Sequence, residues 1–185
     1  MQRRKVMNEQ GLVLWFTGLS GAGKSTTARA LVETLQLNGG KVELLDGDDL
    51  RKTISKGLGF SREDRIDNIR RIVYLSRLLS RNGVTVIVSV ITPYEEMREL
   101  ARTEIPGYVE IFVDCPLEVC ERRDVKGLYA KARNLEISQF TGISDPYDIP
   151  EQSDIVIRTH KDELQYNVAL IMDYMTTKSV RGEPV

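Results

Sequence analysis

Histidine and cysteine are nearly missing from these 185 residues: there is one histidine, His160, and there are two cysteines, Cys115 and Cys120. Metal centres built on imidazole and cysteine–histidine nucleophile pairs therefore have too few members. Two cysteines five positions apart around Pro116 make no disulfide framework. They read as reduced, partly buried thiols of a cytoplasmic protein. Long hydrophobic runs are lacking too. The longest, Val84–Ile91, is eight residues and includes Thr85 and Ser89, whereas a membrane span needs roughly twenty. The basic start, Met1 to Lys5, leads into a short apolar stretch that runs straight into glycines. No small-residue cleavage pattern follows, so no signal peptide is expected. Nor is there a surplus of either charge: 26 Lys and Arg against 27 Asp and Glu give a net charge of −1. Nucleic-acid binding normally needs a basic surplus, so neither nucleic acid nor membrane is an expected partner. Any bound anion must be met by a local cluster.

What is present is an ordinary globular composition, 41% apolar and 29% charged, in a length that suits one domain, 1–185. The pattern alternates strand and helix. Leu12–Thr17, Val42–Leu45, Val84–Val90, Tyr108–Asp114 and Ile155–Arg158 read as short buried strands. Between the first two, Lys24–Leu37 reads as a helix with Ala28, Leu31, Val32 and Leu35 on one face, stopped by Asn38-Gly39-Gly40. Ser61 opens a long helix to Arg81, with Asp64 as its capping-box partner. Leu164, Val168, Ile171 and Met175 form the inner stripe of a closing helix. Such alternation predicts an α/β three-layer sandwich around a five-stranded parallel sheet. The stretch from about 124 to 150 holds Gly127, Gly142, Pro146 and Pro150 with weak periodicity. Long irregular segments of this kind are usually lids.

Gly18 to Ser25 matches G-x-x-x-x-G-K-[ST] at every fixed position, directly after a strand and at the start of a helix. Glycines there let backbone N–H groups turn toward a phosphate, and the helix N-terminus adds partial positive charge. Lys24 would bridge the β- and γ-phosphates, and the Ser25 hydroxyl would hold Mg²⁺. No N-K-x-D base-reading motif is present, and the strongest strand ends Ser89-Val90-Ile91-Thr92-Pro93 without an acid. The acids stand instead after the second strand, as Asp46-Gly47-Asp48-Asp49. Carboxylates placed there can support metal-bound waters and orient an acceptor hydroxyl. A solvated turn with a helix N-cap is the plainer reading, and suits Asp49 best. The pattern favours a P-loop small-molecule kinase over a mechanical ATPase.

Several blocks resemble the adenylyl-sulfate (APS) kinase family. They are the loop itself, Asp46-Gly-Asp-Asp-Leu-Arg51, Gly57-Leu-Gly-Phe-Ser-Arg-Glu-Asp-Arg65, and Asp67-Asn-Ile-Arg-Arg71. Three more fall in and before the lid: Val119-Cys-Glu-Arg-Arg-Asp124, Lys126-Gly-Leu-Tyr-Ala-Lys-Ala-Arg133, and Phe140-Thr-Gly-Ile143 with Asp145-Pro-Tyr147. The resemblance runs from about residue 11 to 158. It implies transfer of the ATP γ-phosphoryl group to the 3′-hydroxyl of adenylyl sulfate, giving PAPS and ADP in sulfate assimilation. Gly18, Leu19, Ser20, Gly21, Ala22, Gly23, Lys24, Ser25, Thr26 and Arg123 would bind ATP. Lys24, Asp48 and Asp46 would be catalytic, Asp48 orienting the hydroxyl proton. Arg51, Phe60, Arg65, Asn68, Ile91, Thr92, Lys126 and Phe140 would form the substrate side, with Lys126 close to the phosphates and the two phenylalanines sandwiching adenine. Dimers are common in that family, and some members are joined to an ATP sulfurylase, so both are implied partners.

The residue chemistry points the same way. Guanidinium forks such as Arg51 and Arg65 suit a phosphate–sulfate anhydride, and Arg65 and Asn68 are three apart on one helix face. The plain alternatives are surface ion pairs for Arg65 and Arg71 and core packing for both phenylalanines. His160 reads as a solvated surface residue. Three positions depart from the family: Val90 stands for phenylalanine, Thr92 for serine and Ser138 for a frequent lysine. Direct in-line transfer is expected, with Thr92 a structural or positioning residue. The rivals are a kinase for another small acceptor, such as a nucleoside monophosphate, and a nucleotide-binding regulatory module. The Gly57–Arg71 block opposes the first; the intact lysine and acids oppose the second.

Overall fold

The computed structural model describes residues 10–181, with side chains as far as 178. The basic N-terminal stretch and the last residues lie outside the described residues. Five strands, β1 (Val13–Thr17), β2 (Val42–Asp46), β3 (Thr85–Ser89), β4 (Tyr108–Val113) and β5 (Ile155–Ile157), form one sheet in the order β2-β3-β1-β4-β5. All four pairings are parallel. Helices α1 (Lys24–Leu37), α2 (Gly47–Lys52), α3 (Arg62–Ser80), α4 (Glu95–Glu104), α5 (Leu117–Arg123), α6 (Leu128–Arg133) and α7 (Leu164–Arg181) connect and cover it.

The strands are apolar on both sides because both faces are covered. Leu14, Phe16, Ile87 and Ile111 pack against Ala28 and Leu31 of α1 and Val168 and Ile171 of α7. The alternate residues Val13, Trp15, Val86 and Val88 pack against Ile69, Ile72 and Val73 of α3 and Met97 and Ala101 of α4. β1 sits centrally with β3 on one side and β4 on the other. The chain runs from β1 to β2 on one side, returns to β3 and then crosses β1 to β4 on the other. Open α/β sheets place their crevice at the carboxyl ends of strands where the order reverses in this way. All five strands present their following loops at that edge.

The expected strands, the sheet and the three long helices are found, but α2, α4, α5 and α6 are additional. Three of them have seven residues or fewer, too short for a periodic signal. In α4, six of ten residues are charged, and a fully buried Arg98 interrupts its inner stripe. The segment 124–150 is therefore not wholly irregular: α6 lies inside it, with Tyr129 and Ala132 buried. At the start of α3, Ser61 Oγ accepts from the Asp64 N–H at 3.2 Å, as expected, but the Asp64 carboxylate accepts from the Gly59 N–H at 3.0 Å instead of closing the box. His160 is half-buried and not a solvated surface residue. The turn in which the Lys161 and Asp162 N–H groups bond to the Arg158 carbonyl folds it inward, with Nδ1 enclosed and unpaired. Cys115 and Cys120 are both free and buried, as expected.

Candidate active site

A cavity of about 750 Å³ opens at the carboxyl edge of the sheet, bounded by the loop after β1, α2, the N-terminal half of α3 and the lid. In the loop Gly18, Gly21 and Gly23 have φ of 147°, 72° and 101°. At Gly23 a Cβ would also lie 3.0 Å from Thr159 Cγ2, so only glycine serves there. Lys24 is 8% exposed. Its ammonium donates to the Gly18 and Leu19 carbonyls at 2.8 and 2.7 Å. Burial lowers its pKa to about 8, while Asp46 and Asp48 act in the opposite direction.

Ser25 Oγ donates to Asp46 Oδ2 at 2.7 Å and lies 3.2 Å from Ser89 Oγ. Asp46 Oδ1 accepts from the Asp48 N–H at 3.0 Å, so Asp46, and not Asp49, is the N-cap of α2. Asp46 is 4% exposed, so the solvated-turn alternative fails for it. Asp49 is exposed and pairs with Lys52 at 2.9 Å. Among the described residues no group of three or more His, Cys, Asp or Glu could hold a metal unaided. The donor set Ser25 and Asp46 is all oxygen. That suits Mg²⁺, a hard cation usually held by one or two protein oxygens together with waters and phosphates.

On the opposite wall Arg51 Nη1 donates to the Leu58 and Gly59 carbonyls at 3.2 and 3.0 Å, and its guanidinium stands 4.3 Å over the Phe60 ring. Arg65 bonds the Phe60 and Gln139 carbonyls at 2.9 and 2.6 Å and lies 3.9 Å from Asp145. It is buried, so no surface ion pair is involved; Arg71 donates to the Ile54 carbonyl at 2.6 Å. Asn68 is also buried, and its Oδ1 has no partner. Phe60 is 53% exposed and belongs to no core. Phe140 does pack partly on the core, edge-on to Tyr129 at 5.0 Å. Both rings line the same cavity.

From the lid side, Arg123 donates to the Gly21 and Thr159 carbonyls at 3.2 and 2.9 Å, and Lys126 pairs with Asp48. The cavity thus gathers Lys24, Ser25, Asp46, Asp48, Arg51, Phe60, Arg65, Asn68, Ile91, Thr92, Arg123, Lys126 and Phe140. Thr92 faces inward, its hydroxyl accepting from the Trp15 indole. Val90 is buried beside Gly47, and Ser138 is exposed. Sequence reasoning passed over Thr159, whose hydroxyl donates to the Ala22 carbonyl at 2.5 Å. Its position just after β5, on the edge where every other strand feeds the site, was the available signal.

The family description Adenylylsulphate kinase matches residues 10–158. The chain belongs to the adenylyl-sulfate kinase family. The adenylyl-sulfate kinase of Picosynechococcus sp. is 55% identical over 170 residues, covering 92% of this chain and 96% of that one. That of Rippkaea orientalis is 50% identical over 179 residues, covering 97% and 99%. Among solved structures, the Mycobacterium tuberculosis APS kinase in complex with AMPPNP and APS superposes with a TM-score of 0.87 at 41% identity, over 90% of this chain and 98% of that one. Shikimate kinase from Aquifex aeolicus, at 17% identity and a TM-score of 0.54, shares the fold. This adenylyl-sulfate kinase is an ATP-dependent phosphotransferase of sulfate activation that converts adenylyl sulfate to PAPS. Among the described residues no helix is long and apolar enough to cross a membrane.

Proposed function

We propose that the two walls of this one cavity divide the reaction between them. The loop Gly18–Thr26 takes the ATP phosphates, and Arg51, Phe60, Arg65, Asn68, Ile91, Thr92 and Phe140 take adenylyl sulfate. The observation that carries this reading is the position of Asp46 and Asp48, which line the cavity together with Lys24 on one side and Arg51 and Arg65 on the other. The 3′-hydroxyl oxygen attacks the γ-phosphorus, and the bond to the β,γ-bridging oxygen breaks as ADP leaves. The hydroxyl proton passes to the Asp48 carboxylate. Lys24 and the loop N–H groups stabilise charge on the phosphoryl oxygens. Ser25 would hold Mg²⁺, with Asp46 holding its waters; the ion supplies charge neutralisation at the phosphates. Arg123 would lie against the donor base. Lys126, which pairs with Asp48 here, would serve the phosphates on closure, and lid closure would exclude water.

The Arg51, Arg65 and Phe60 set supports an anionic nucleotide as acceptor. Two buried free cysteines support a cytoplasmic setting. A homodimer and an association with ATP sulfurylase remain part of the proposal through family resemblance. The test is ADP release from Mg-ATP with and without micromolar adenylyl sulfate, with the product identified by mass. APS-dependent ADP and a product one phosphate heavier than APS are expected. ADP release indifferent to APS would overturn the acceptor assignment, and a panel of nucleoside monophosphates would then be tried.

A further inference from the structure

Thr92 has a backbone φ of 48°, in the left-handed region that a β-branched residue resists. It is 1% exposed, and three side chains from two elements hold it. Trp15 Nε1, in β1, donates to its hydroxyl at 2.9 Å. Arg98 Nη1, in α4, donates to its carbonyl at 3.1 Å. Thr17 Oγ1 stands 3.4 Å from that carbonyl and 2.7 Å from the Ile91 carbonyl. Arg98 is fully buried, and a guanidinium taken out of water must be compensated by partners. Its Nη2 pairs with Glu95, and Nε faces Glu110 at 4.0 Å without a hydrogen bond. Glu110 is itself buried and accepts from Arg102, Tyr108 and Ser153.

This investment surrounds a turn that shapes the acceptor wall. Ile91, Thr92 and Pro93 line the cavity, and the lid's returning arm docks on the same turn. The Asp148 N–H donates to the Pro93 carbonyl at 2.8 Å, and Tyr147 Oη lies 2.9 Å from Thr17 Oγ1. We propose that Arg98 and Trp15 are positioning residues for the acceptor. By holding Thr92 left-handed they keep the Ile91–Pro93 wall, and the lid arm docked on it, in the shape that takes adenylyl sulfate. Neither side chain lines the cavity, so both act through Thr92. The inference rests on the reading of this wall as the APS side.

The experiment compares wild type, Arg98→Lys and Trp15→Phe, varying APS at saturating ATP and then ATP at saturating APS. Lysine keeps the charge beside Glu110, but one ammonium cannot replace a fork that reaches Thr92 and Glu95 at once. APS KM is expected to rise about ten-fold in Arg98→Lys and by a smaller factor in Trp15→Phe, the losses of a charge-assisted and a neutral hydrogen bond. ATP KM stays near wild type, whereas the melting temperature falls in both variants because each disturbs a fully buried side chain. An unchanged APS KM in whichever variant folds, or APS and ATP KM rising together, overturns the inference. Wild-type protein that makes no APS-dependent ADP would overturn the functional reading and this inference with it.

Discussion

Ser25 Oγ donates to Asp46 Oδ2 across 2.7 Å, while Oδ1 of the same carboxylate caps α2 through the Asp48 N–H at 3.0 Å. One buried carboxylate thus ties the first turn of α1 to the segment that carries Asp48. The phosphate loop and the proposed proton acceptor are set relative to each other by two hydrogen bonds, not by the path of the chain between them, which runs through α1 and β2.

Asp46→Asn separates the two duties. Asparagine caps a helix about as well as aspartate, so the fold and melting temperature should hold. The negative charge facing the proposed metal waters is lost. The Mg²⁺ concentration giving half-maximal ADP production should rise about ten-fold, the low end of the effect of removing an outer-sphere partner. A Mg²⁺ titration at fixed ATP measures it. An unchanged midpoint would remove Asp46 from the metal's surroundings.

Asp48→Ala bears on the chemical step. Its carboxylate is more than half exposed and makes no contact that the fold depends on beyond the pairing with Lys126. Turnover should fall about a hundred-fold or more, as for a lost general base, with ATP affinity close to wild type. Steady-state rates and calorimetric ATP binding give the two numbers. Retained turnover would sink the proton-acceptor role.

The sheet and the three long helices were legible because short apolar runs and helical apolar stripes record burial directly, as in Val86–Val88 and in Ala28–Leu31–Leu35. The phosphate loop was legible because its glycines answer a backbone demand, seen at Gly23. Arg98 was not. Nothing local marks a charged residue as buried: Glu95, three residues back on α4, would pair with an exposed arginine just as well, and the partners Thr92 and Glu110 are met only when α4 packs on the sheet. The capping role of Asp46 was half visible, since an acid after a strand can cap, point into a site or, as here, do both. Phe60 and Phe140 looked alike in sequence, yet one is exposed and the other leans on Tyr129. That difference comes from the lid's tertiary path.

Gly11 offers a test of packing away from the chemistry. It enters β1 with its N–H bonded to the Ser80 carbonyl at 2.8 Å, and a Cβ there would lie 2.0 Å from the Val84 carbonyl oxygen. Backbone must move, so Gly11→Ala should cost about 3 kcal/mol or more, a drop in melting temperature of several degrees. Gly57→Ala is the control. Gly57 has a φ of 94° but nothing within 4 Å of the added carbon, so only conformational strain of about 1–2 kcal/mol applies. Equal losses at the two sites would contradict the close approach at Gly11.

Lys24 makes nucleotide binding a proton-linked event. Burial holds its pKa at about 8 in the free protein, against 10.5 for an ordinary lysine. Below the folded value both states are charged and the full penalty of burying the ammonium opposes folding. As pH rises from about 8 to 10.5 the folded lysine is neutral while the unfolded one still holds its proton, so the penalty fades and stability gains. Bound phosphates favour the charged form and raise the pKa again. Mg-ATP binding at about pH 9 should therefore take up close to one proton, and binding near pH 7 almost none. Calorimetry in two buffers of different ionisation enthalpy reads the uptake directly. Binding heats that agree between buffers at the higher pH would mean that the Lys24 ammonium does not gain its proton from contact with the phosphates.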